Sequence, residues 1–261
     1  MRRLLRVYRV FFTSSLSREL EFRANFFAKI LQNAVWAGFF VLVLLAIYHN
    51  TDSIAGWNRG MAFLLTATVF LVSGLCGAFS MGLMEIPSLV RMGTLDFVIA
   101  RPIDNQFWVS FRRFNFDQFG TIAAGVVMLV VGLPLSGMHP GPAAWLAYGV
   151  MVVAGAVMFY CVNLMLMTLG IWWVRVDNLW VLGDTAMSIA RFPIEIFPRA
   201  MIWTLTFIVP IALFASMPTQ QLVVGFDAAR LILAMVWALV GVAVSRGFWR
   251  YALGFYSSAS S

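Results

Sequence analysis

The chain has 261 residues, of which 62% are hydrophobic and only 11% are charged. Soluble domains are about half apolar and about a quarter charged, so a water-soluble fold is excluded and an all-α integral membrane protein is expected. The net charge of +7 comes almost entirely from arginines beside apolar runs, which indicates contact with membrane lipid and not nucleic-acid binding.

Residues 1–25 have the pattern of an amphipathic helix. Arg2, Arg6 and Arg9 recur at helical spacing on one face. The opposite face carries the apolar residues Leu4, Tyr8, Phe11, Phe12 and Leu16. We expect this helix to lie in the membrane interface with its arginines toward the headgroups, the alternative being a positive start that only sets topology.

Residues 26–261 are predicted to form one transmembrane domain with six spanning helices. Apolar runs long enough to cross a bilayer lie at about 27–48, 61–84, 118–135, 143–174, 200–216 and 229–244. The fourth run is longer than one bilayer requires, which predicts that it tilts or projects.

The distribution of basic residues predicts the orientation of these spans. If the N-terminus is cytoplasmic, six spans place sixteen of the eighteen basic residues on the cytoplasmic side and only Arg59 and Arg230 on the other. Both termini are therefore expected in the cytoplasm.

The segment between the fourth and fifth predicted spans, residues 175–199, alternates apolar and charged residues. We expect it to form a second cytoplasmic or interfacial helix, broken at Pro193 and ended by Pro198. Arg191 and Glu195 would be among its charged groups.

Several kinds of catalytic chemistry have no sequence support. The glycine–lysine loop that binds ATP phosphates does not occur, and neither cysteine lies in a metal-binding pattern. Catalytic residues, a metal site and a cofactor are therefore not expected. The predicted spans carry no charged residue near their middles, which disfavours an ion-coupled secondary transporter.

Polar side chains within the predicted spans are few. Gln32 and Asn33 in the first span and Asn163 in the fourth are the strongest candidates for a function. They either make hydrogen bonds between helices or line a transport pathway.

The longest polar interruption runs from Glu85 to Phe114, between the second and third predicted spans. Gly93 permits a sharp turn, and Thr94 is a good N-cap for a short helix. Asp96 would lie in the first turn, where the helix dipole favours an anion, and Pro102 would end the helix after Arg101.

Two motifs in this chain resemble those of type 2 ABC exporter permeases. Residues 91–96 (RMGTLD) and 100–103 (ARPI) are similar to the signature that follows the second span in that family. Further similarity to a six-span branch lies at residues 191–198, 207–210, 217–218 and 248–251. The resemblance covers nearly the whole chain, although the acid at position 96 is aspartate where the family often has glutamate.

The resemblance implies a half-transporter of the bacterial inner membrane. Such permeases pair with a second permease, identical or divergent, and with two copies of a separate ATPase subunit that binds ATP and Mg²⁺. The segment from Thr94 to Arg101 would be the coupling helix that docks in a cleft of the ATPase. Its apolar contacts would come from Leu95, Phe97, Val98 and Ile99, and its charged rim from Arg91, Asp96 and Arg101.

The expected function is that of an ABC exporter permease, a transport subunit and not an enzyme. Its aromatic-rich composition, with 24 Phe and 10 Trp, favours a hydrophobic or amphipathic substrate over an ion. The alternative is a membrane scaffold or assembly protein that does not transport and needs no ATPase partner.

Overall fold

The computed structural model describes residues 2–21, 23–173, 179–207 and 209–256. These residues are helical apart from turns and one antiparallel hairpin, in which β1 (Ser53–Ile54) pairs with β2 (Trp57–Asn58). Of the predicted positions, Val174, Arg175 and Ile208 lie outside the described residues, as do the side chains of Arg2 and Leu4.

The predicted amphipathic stretch forms helix α1 (Arg2–Glu21), and α2 (Arg23–Ile47) follows it. The rings of Tyr8 and Phe12 lie 5.0 and 5.2 Å from the ring of Phe114 in edge-on contacts. The Ser15 hydroxyl accepts a hydrogen bond from the backbone N–H of Phe114 at 3.2 Å. Part of the face expected to enter lipid therefore packs against the chain's own loop.

Helix α3 (Arg59–Ser80) is the central helix of the bundle. It continues through a 3₁₀ turn (Met81–Glu85) into α4 (Ile86–Arg91). Within their most apolar stretches, 78% of the α3 residues are buried, against 6% for α2.

Two short helices, α5 (Asp96–Ile99) and α6 (Asn105–Phe111), lead from α4 to α7 (Gln118–Ser136), which packs along α3. A Cβ at Gly60 would lie 2.0 Å from the backbone nitrogen of Ser136, so only glycine allows this approach.

Helix α8 (Pro142–Thr168) continues as a 3₁₀ turn (Leu169–Ile171), and it packs against α12 (Ala228–Leu253) and α9 (Leu179–Ala190). Among the described residues, five helices are long and apolar enough to cross a membrane: Phe26–Ile47, Arg59–Arg91, Gln118–Ser136, Pro142–Ile171 and Ala228–Leu253. They correspond to five of the six predicted spans.

The predicted span at 200–216 is wrong, because no continuous helix occupies it. The chain instead forms α10 (Arg199–Phe207), a 3₁₀ turn (Ile211–Phe214) and α11 (Ser216–Val223). Pro210 precedes that turn, and its missing N–H cannot continue a helical ladder.

The bundle has two ends, which we name by their loops. The α4–α6 end carries residues 86–111, and the hairpin end carries β1 and β2. Helix α9 runs between them, since Leu179 belongs to a buried cluster with Leu89 and Val98, whereas Ala190 belongs to another with Trp57. This 12-residue helix, about 18 Å long, is too short to be one of the spanning helices, but it takes the chain from the α4–α6 end toward the hairpin end, a passage that the sequence assigned to residues 200–216.

The prediction of a second cytoplasmic motif is consequently wrong in its placement. The Glu195 carboxylate accepts hydrogen bonds from Trp57 Nε1 at 3.1 Å and from Gln220 Nε2 at 2.5 Å, and Trp57 belongs to β2. The segment from Arg191 to Pro198 thus lies at the hairpin end, opposite the α4–α6 end.

The physical reason for this placement is the apolar surface of α9. A Cβ at Gly183 would lie 2.5 Å from the side-chain oxygen of Asn163, so α9 is closely packed on α8. Because α9 buries this surface against α8, the residues that follow it, including Arg191, Pro193 and Pro198, lie at the hairpin end. The guanidinium of Arg191 lies there over the ring of Phe40, 4.1 Å from its centre.

The α10–α11 segment is re-entrant, because it leaves the hairpin end, turns near mid-bundle and returns. The turn is located by Leu213, whose carbonyl oxygen would lie 2.7 Å from a Cβ at Gly155 of α8. On the return, the hydroxyl of Thr219 lies 3.0 Å from that of Thr68, which is also 3.1 Å from the hydroxyl of Tyr148. These buried hydroxyls satisfy one another and join α3, α8 and α11.

Candidate coupling surface

A tight turn between α4 and α5 shapes the site. Gly93 has a φ of 67°, a left-handed conformation that glycine adopts without a steric penalty. The Leu89 carbonyl accepts hydrogen bonds from the backbone N–H of Leu95 at 3.2 Å and from the Thr94 hydroxyl at 3.4 Å. Thr94 therefore closes the turn behind it and is not the predicted N-cap, a position that Leu95 occupies.

Helix α5 has one buried and one exposed side. Leu95 and Val98 are 0% and 2% exposed in a cluster with Trp108, whereas Phe97 is 70% exposed and Ile99 is 39% exposed. Two of the four residues expected to contact a partner thus belong to the chain's own core.

We call the exposed apolar residues in and beside α5 the α5 face. Its members are Met92, Phe97, Ile99, Ala100 and Pro102. Sequence reasoning missed Met92, which is 62% exposed and whose only signal was its position beside Gly93. Because these residues follow the second spanning helix, the surface lies beyond the spans, where an apolar patch marks an interaction site.

Two arginines lie at the border of the α5 face. Arg91 and Arg101 are both exposed. Arg101 is held in place, because its Nε donates to the Phe97 carbonyl at 3.2 Å and its guanidinium lies 4.8 Å from the centre of the Trp108 ring. A cationic rim around an apolar centre suits a partner that presents an apolar pocket with acidic edges.

Asp96 contacts the chain's own C-terminal segment. Burial and the neighbouring Asp96 carboxylate raise the pKa of the Tyr256 hydroxyl above its ordinary value. The acid expected at the partner-facing rim therefore lies beside Tyr256, which follows α12.

An ion-pair cluster holds the two ends of this loop region together. Arg112 and Arg113, which follow α6, both pair with Glu85 at the start of α4. Burial and the adjacent Arg113 lower the pKa of Arg112 to about 10, so Arg112 remains charged at neutral pH.

Helix α6 is joined to two long helices by polar contacts. Arg246 of α12 donates to the Asp104 carboxylate at 2.7 Å. The Tyr160 hydroxyl of α8 lies 3.1 Å from Gln106 Nε2 and 2.9 Å from Ser110 Oγ. Movement of α5 and α6 would therefore pull on α8 and α12.

Asp104 organises the beginning of α6. Its carboxylate accepts the backbone N–H of Phe107 at 2.9 Å, which is an N-cap. Burial opposes ionisation, but the hydrogen bonds from Phe107 and Arg246 prevail and lower the pKa of Asp104 below its ordinary value.

The remaining predicted site residues lie away from the α5 face. Gln32 is exposed, while Asn33 donates to the backbone carbonyl of Asp117 at 3.0 Å and so connects α2 to the start of α7. Asn163 donates to the Phe159 carbonyl of its own helix at 2.9 Å, beside Gly183. Within the described parts of the chain, no group of three His, Cys, Asp or Glu side chains could hold a metal ion.

Comparison with known proteins identifies the family. Residues 34–260 match a family model described as "ABC-2 family transporter protein". Curated proteins and solved structures yielded no match. The family match covers most of the chain and confirms the resemblance to ABC permeases of this type. This multi-pass membrane protein, with its apolar spanning helices, belongs to the ABC-2 transporter family.

Proposed function

We propose that the chain is the permease subunit of an ABC exporter, and that its α5 face docks into a cleft of a separate ATPase subunit. One observation carries the proposal: Met92, Phe97 and Ile99 are exposed beyond the spanning helices, although Leu95 and Val98 of the same segment are fully buried. An apolar face that the chain leaves uncovered supports a partner at this position.

The polar contacts of α6 support a mechanical role for this docking. Closure of the ATPases around ATP and Mg²⁺ would move α5. The Arg246–Asp104 ion pair and the Tyr160 hydrogen bonds would pass that movement to α12 and α8. No nucleotide chemistry is required of this chain.

The proposed assembly contains two ATPase copies and two permeases, the second permease being identical or divergent. We place the α4–α6 end in the cytoplasm, because α1, α4–α6 and the C-terminal end of α12 bring most of the basic residues there. Arg191 and Arg199 lie at the opposite end in the structure, but most of the basic residues still lie at the α4–α6 end. In a bacterium this membrane would be the inner membrane.

A hydrophobic or amphipathic substrate fits the aromatic-rich composition of the chain, with its 24 Phe and 10 Trp. The buried hydroxyls of Thr68 and Tyr148 are hydrogen-bonded to each other, and no charged group among the described residues lies beside them, which favours a substrate other than an ion. Transport driven by ATP, and not by an ion gradient, is the expected behaviour.

The test is purification of the tagged chain from its native membranes in mild detergent, followed by assay of co-eluting ATP hydrolysis. Phe97→Glu places a charge at the centre of the α5 face and should reduce co-eluting ATPase at least about tenfold. Phe226→Glu is the matched control, since Phe226 is 53% exposed in the loop before α12 at the hairpin end. Equal ATPase recovery with both variants would remove the docking assignment, and a folded chain that never recovers ATPase would favour the scaffold alternative.

A further inference from the structure

Two adjoining cavities differ sharply in polarity. The larger, of about 470 Å³, is a groove open to the side between α3, α8 and α12. Its walls include Leu75, Val153 and Val242, and its floor is the stacked pair Phe111 and Tyr160, whose ring centres are 5.9 Å apart. A site of this size and lining fits a hydrocarbon chain.

The smaller cavity, of about 80 Å³, is polar. Its lining includes Arg246, Arg250, Trp249, Asp104 and Gln106. Two guanidinium groups face one carboxylate there, which leaves an excess of one positive charge. The Asp104 carboxylate is already hydrogen-bonded to Arg246 and to a backbone N–H.

An unsatisfied donor accompanies that positive charge. Trp249 is 2% exposed, and its Nε1 is buried without a hydrogen-bond partner among the described residues. A buried indole N–H normally finds an acceptor. An anionic oxygen bound in this cavity would supply one.

The two cavities are linked through α12 and α6. Val242 of the groove and Arg246 of the polar cavity are four residues apart on α12, which is about one helical turn. The hydrogen bond between Gln106 and Tyr160 joins the lining of the polar cavity to the floor of the groove.

The position of this site along α12 matches the depth of a lipid headgroup. Arg230 and Arg250 lie twenty residues apart on the helix, or about 30 Å, the thickness of a hydrocarbon core. The exposed aromatic residues Trp172, Tyr251 and Phe255 cluster near Arg250, as aromatic residues do at a membrane interface. The polar cavity is therefore at headgroup level and the groove within the hydrocarbon.

We propose that this composite cavity binds an anionic phospholipid of the leaflet at the α4–α6 end. The phosphate lies between Arg246 and Arg250 and accepts the Trp249 N–H, while one acyl chain lies along the groove past Val242. Arg246 of α12 also contacts Gln106 of α6 and its N-cap Asp104, so the bound lipid steadies the connection between α6 and α12. The proposal needs no ATPase partner, so it stands or fails apart from the proposed function.

The experiment is native mass spectrometry of the delipidated chain, titrated with phosphatidylglycerol, phosphatidylcholine or inorganic phosphate. Phosphatidylglycerol should bind at least about tenfold more tightly than phosphatidylcholine. Arg250→Gln should weaken its binding about tenfold, the loss of one charge-assisted hydrogen bond. Val242→Trp, which fills the groove, should weaken it similarly.

The matched control is Val244→Trp, since Val244 is exposed on α12 and does not line the groove. Arg250→Gln is preferred to Arg246→Gln because Arg246 pairs with Asp104 and its loss would also disturb α6. Equal affinity for the two lipids, or equal effects of the two tryptophan variants, would overturn the proposal. Inorganic phosphate that displaces phosphatidylglycerol from the wild type, with no effect of Val242→Trp, would show a free-anion site instead.

Discussion

The two ends of the bundle are built from similar short helices, but their apolar side chains are buried to different extents. Both contain short helices broken by proline and glycine, and both contain an acid that joins separate segments. At the α4–α6 end, Met92 and Phe97 are more than half exposed, whereas the re-entrant segment buries Leu213 and Phe214 completely at its mid-bundle turn. Exposed apolar residues also occur at the hairpin end, where Phe192 and Phe226 are both 53% exposed. The difference therefore lies between the re-entrant segment, which completes the bundle, and α5, which leaves apolar side chains uncovered beyond the spanning helices.

The polar contacts of the two ends differ in the same way. At the hairpin end, Glu195 joins β2 and α11, and the re-entrant segment is fixed further by buried hydroxyls. At the α4–α6 end, Arg112 and Arg113 pair with Glu85, and Arg246 pairs with Asp104 partly in solvent. The Arg246–Asp104 pair is exposed enough to contribute little to stability, whereas the mostly buried Arg112–Glu85 pair holds the two ends of the loop region together.

The largest expected effect is the difference in stability between variants on the buried and exposed sides of α5. Leu95→Ala should lower the free energy of unfolding by about 2–5 kcal/mol, because it leaves a cavity in the buried cluster that Leu95 forms with Val98 and Trp108. Phe97→Ala should change it by less than about 0.5 kcal/mol, because that side chain is mostly exposed. Denaturant unfolding in detergent micelles, followed by tryptophan fluorescence, measures both.

In an assay of ATPase recovery, the order of the two variants should be the reverse of their order in stability. Phe97→Ala should reduce ATPase recovery although it leaves the free energy of unfolding almost unchanged. If Phe97→Ala proved as destabilising as Leu95→Ala, the assignment of an exposed face to α5 would be wrong.

A smaller effect tests the carboxylate at the hairpin end. Glu195→Gln replaces one accepting oxygen with a donor, so the bond from either Trp57 or Gln220 is lost. We expect the free energy of unfolding to fall by about 1 kcal/mol. This is less than a buried hydrogen bond to a charged group would contribute, because Glu195 is partly in contact with solvent. Asp52→Asn is the control, because Asp52 is an exposed acid just before β1, and it should change unfolding little. ATPase recovery should be unaffected by either variant, and a selective loss with Glu195→Gln would contradict the separate roles of the two ends.

The smallest expected effect concerns Asp104 and pH. Its folded-state pKa is lowered, so the stability it contributes is present above its unfolded pKa of about 3.9 and is lost as the pH falls through the folded value. Because the Arg246 pair is more than one-third exposed, we expect less than about 1 kcal/mol.

The measurement is the unfolding midpoint of the wild type and of Asp104→Asn at pH values from 7 to 3. The difference between them should be largest at neutral pH and should shrink below about pH 4. A difference that stayed constant with pH would show that Asp104 acts only through packing.

Local features of the coupling segment were predictable because they depend on neighbouring residues. The turn at Gly93 follows from the conformational freedom of glycine, and it was predicted. The roles of Leu95 and Val98 were not, since a four-residue helix gives too few turns to show a periodic face. Only the buried cluster with Trp108 decides that they point inward.

The re-entrant segment was the main failure of sequence-based prediction. Residues 200–216 are apolar enough to read as a span, and α9 is short and lies between charged residues. Hydropathy measures transfer to an apolar environment, and it does not distinguish lipid from the interior of a helix bundle. The error in this region also moved Arg191, Pro193, Glu195 and Pro198 to the wrong end.

By itself the sequence determined that the chain lies in a membrane, that its basic residues favour one side, and that a turn and short helix follow the second spanning helix. These properties follow from composition and from interactions a few residues apart. The tertiary structure alone decided which apolar segments face the bundle, that α9 carries the chain back, and that Met92, Phe97 and Ile99 remain uncovered. Those outcomes depend on contacts between distant segments, such as Trp57 with Glu195 or Gly183 with Asn163. The order of residues along the chain does not show which distant residues will be in contact.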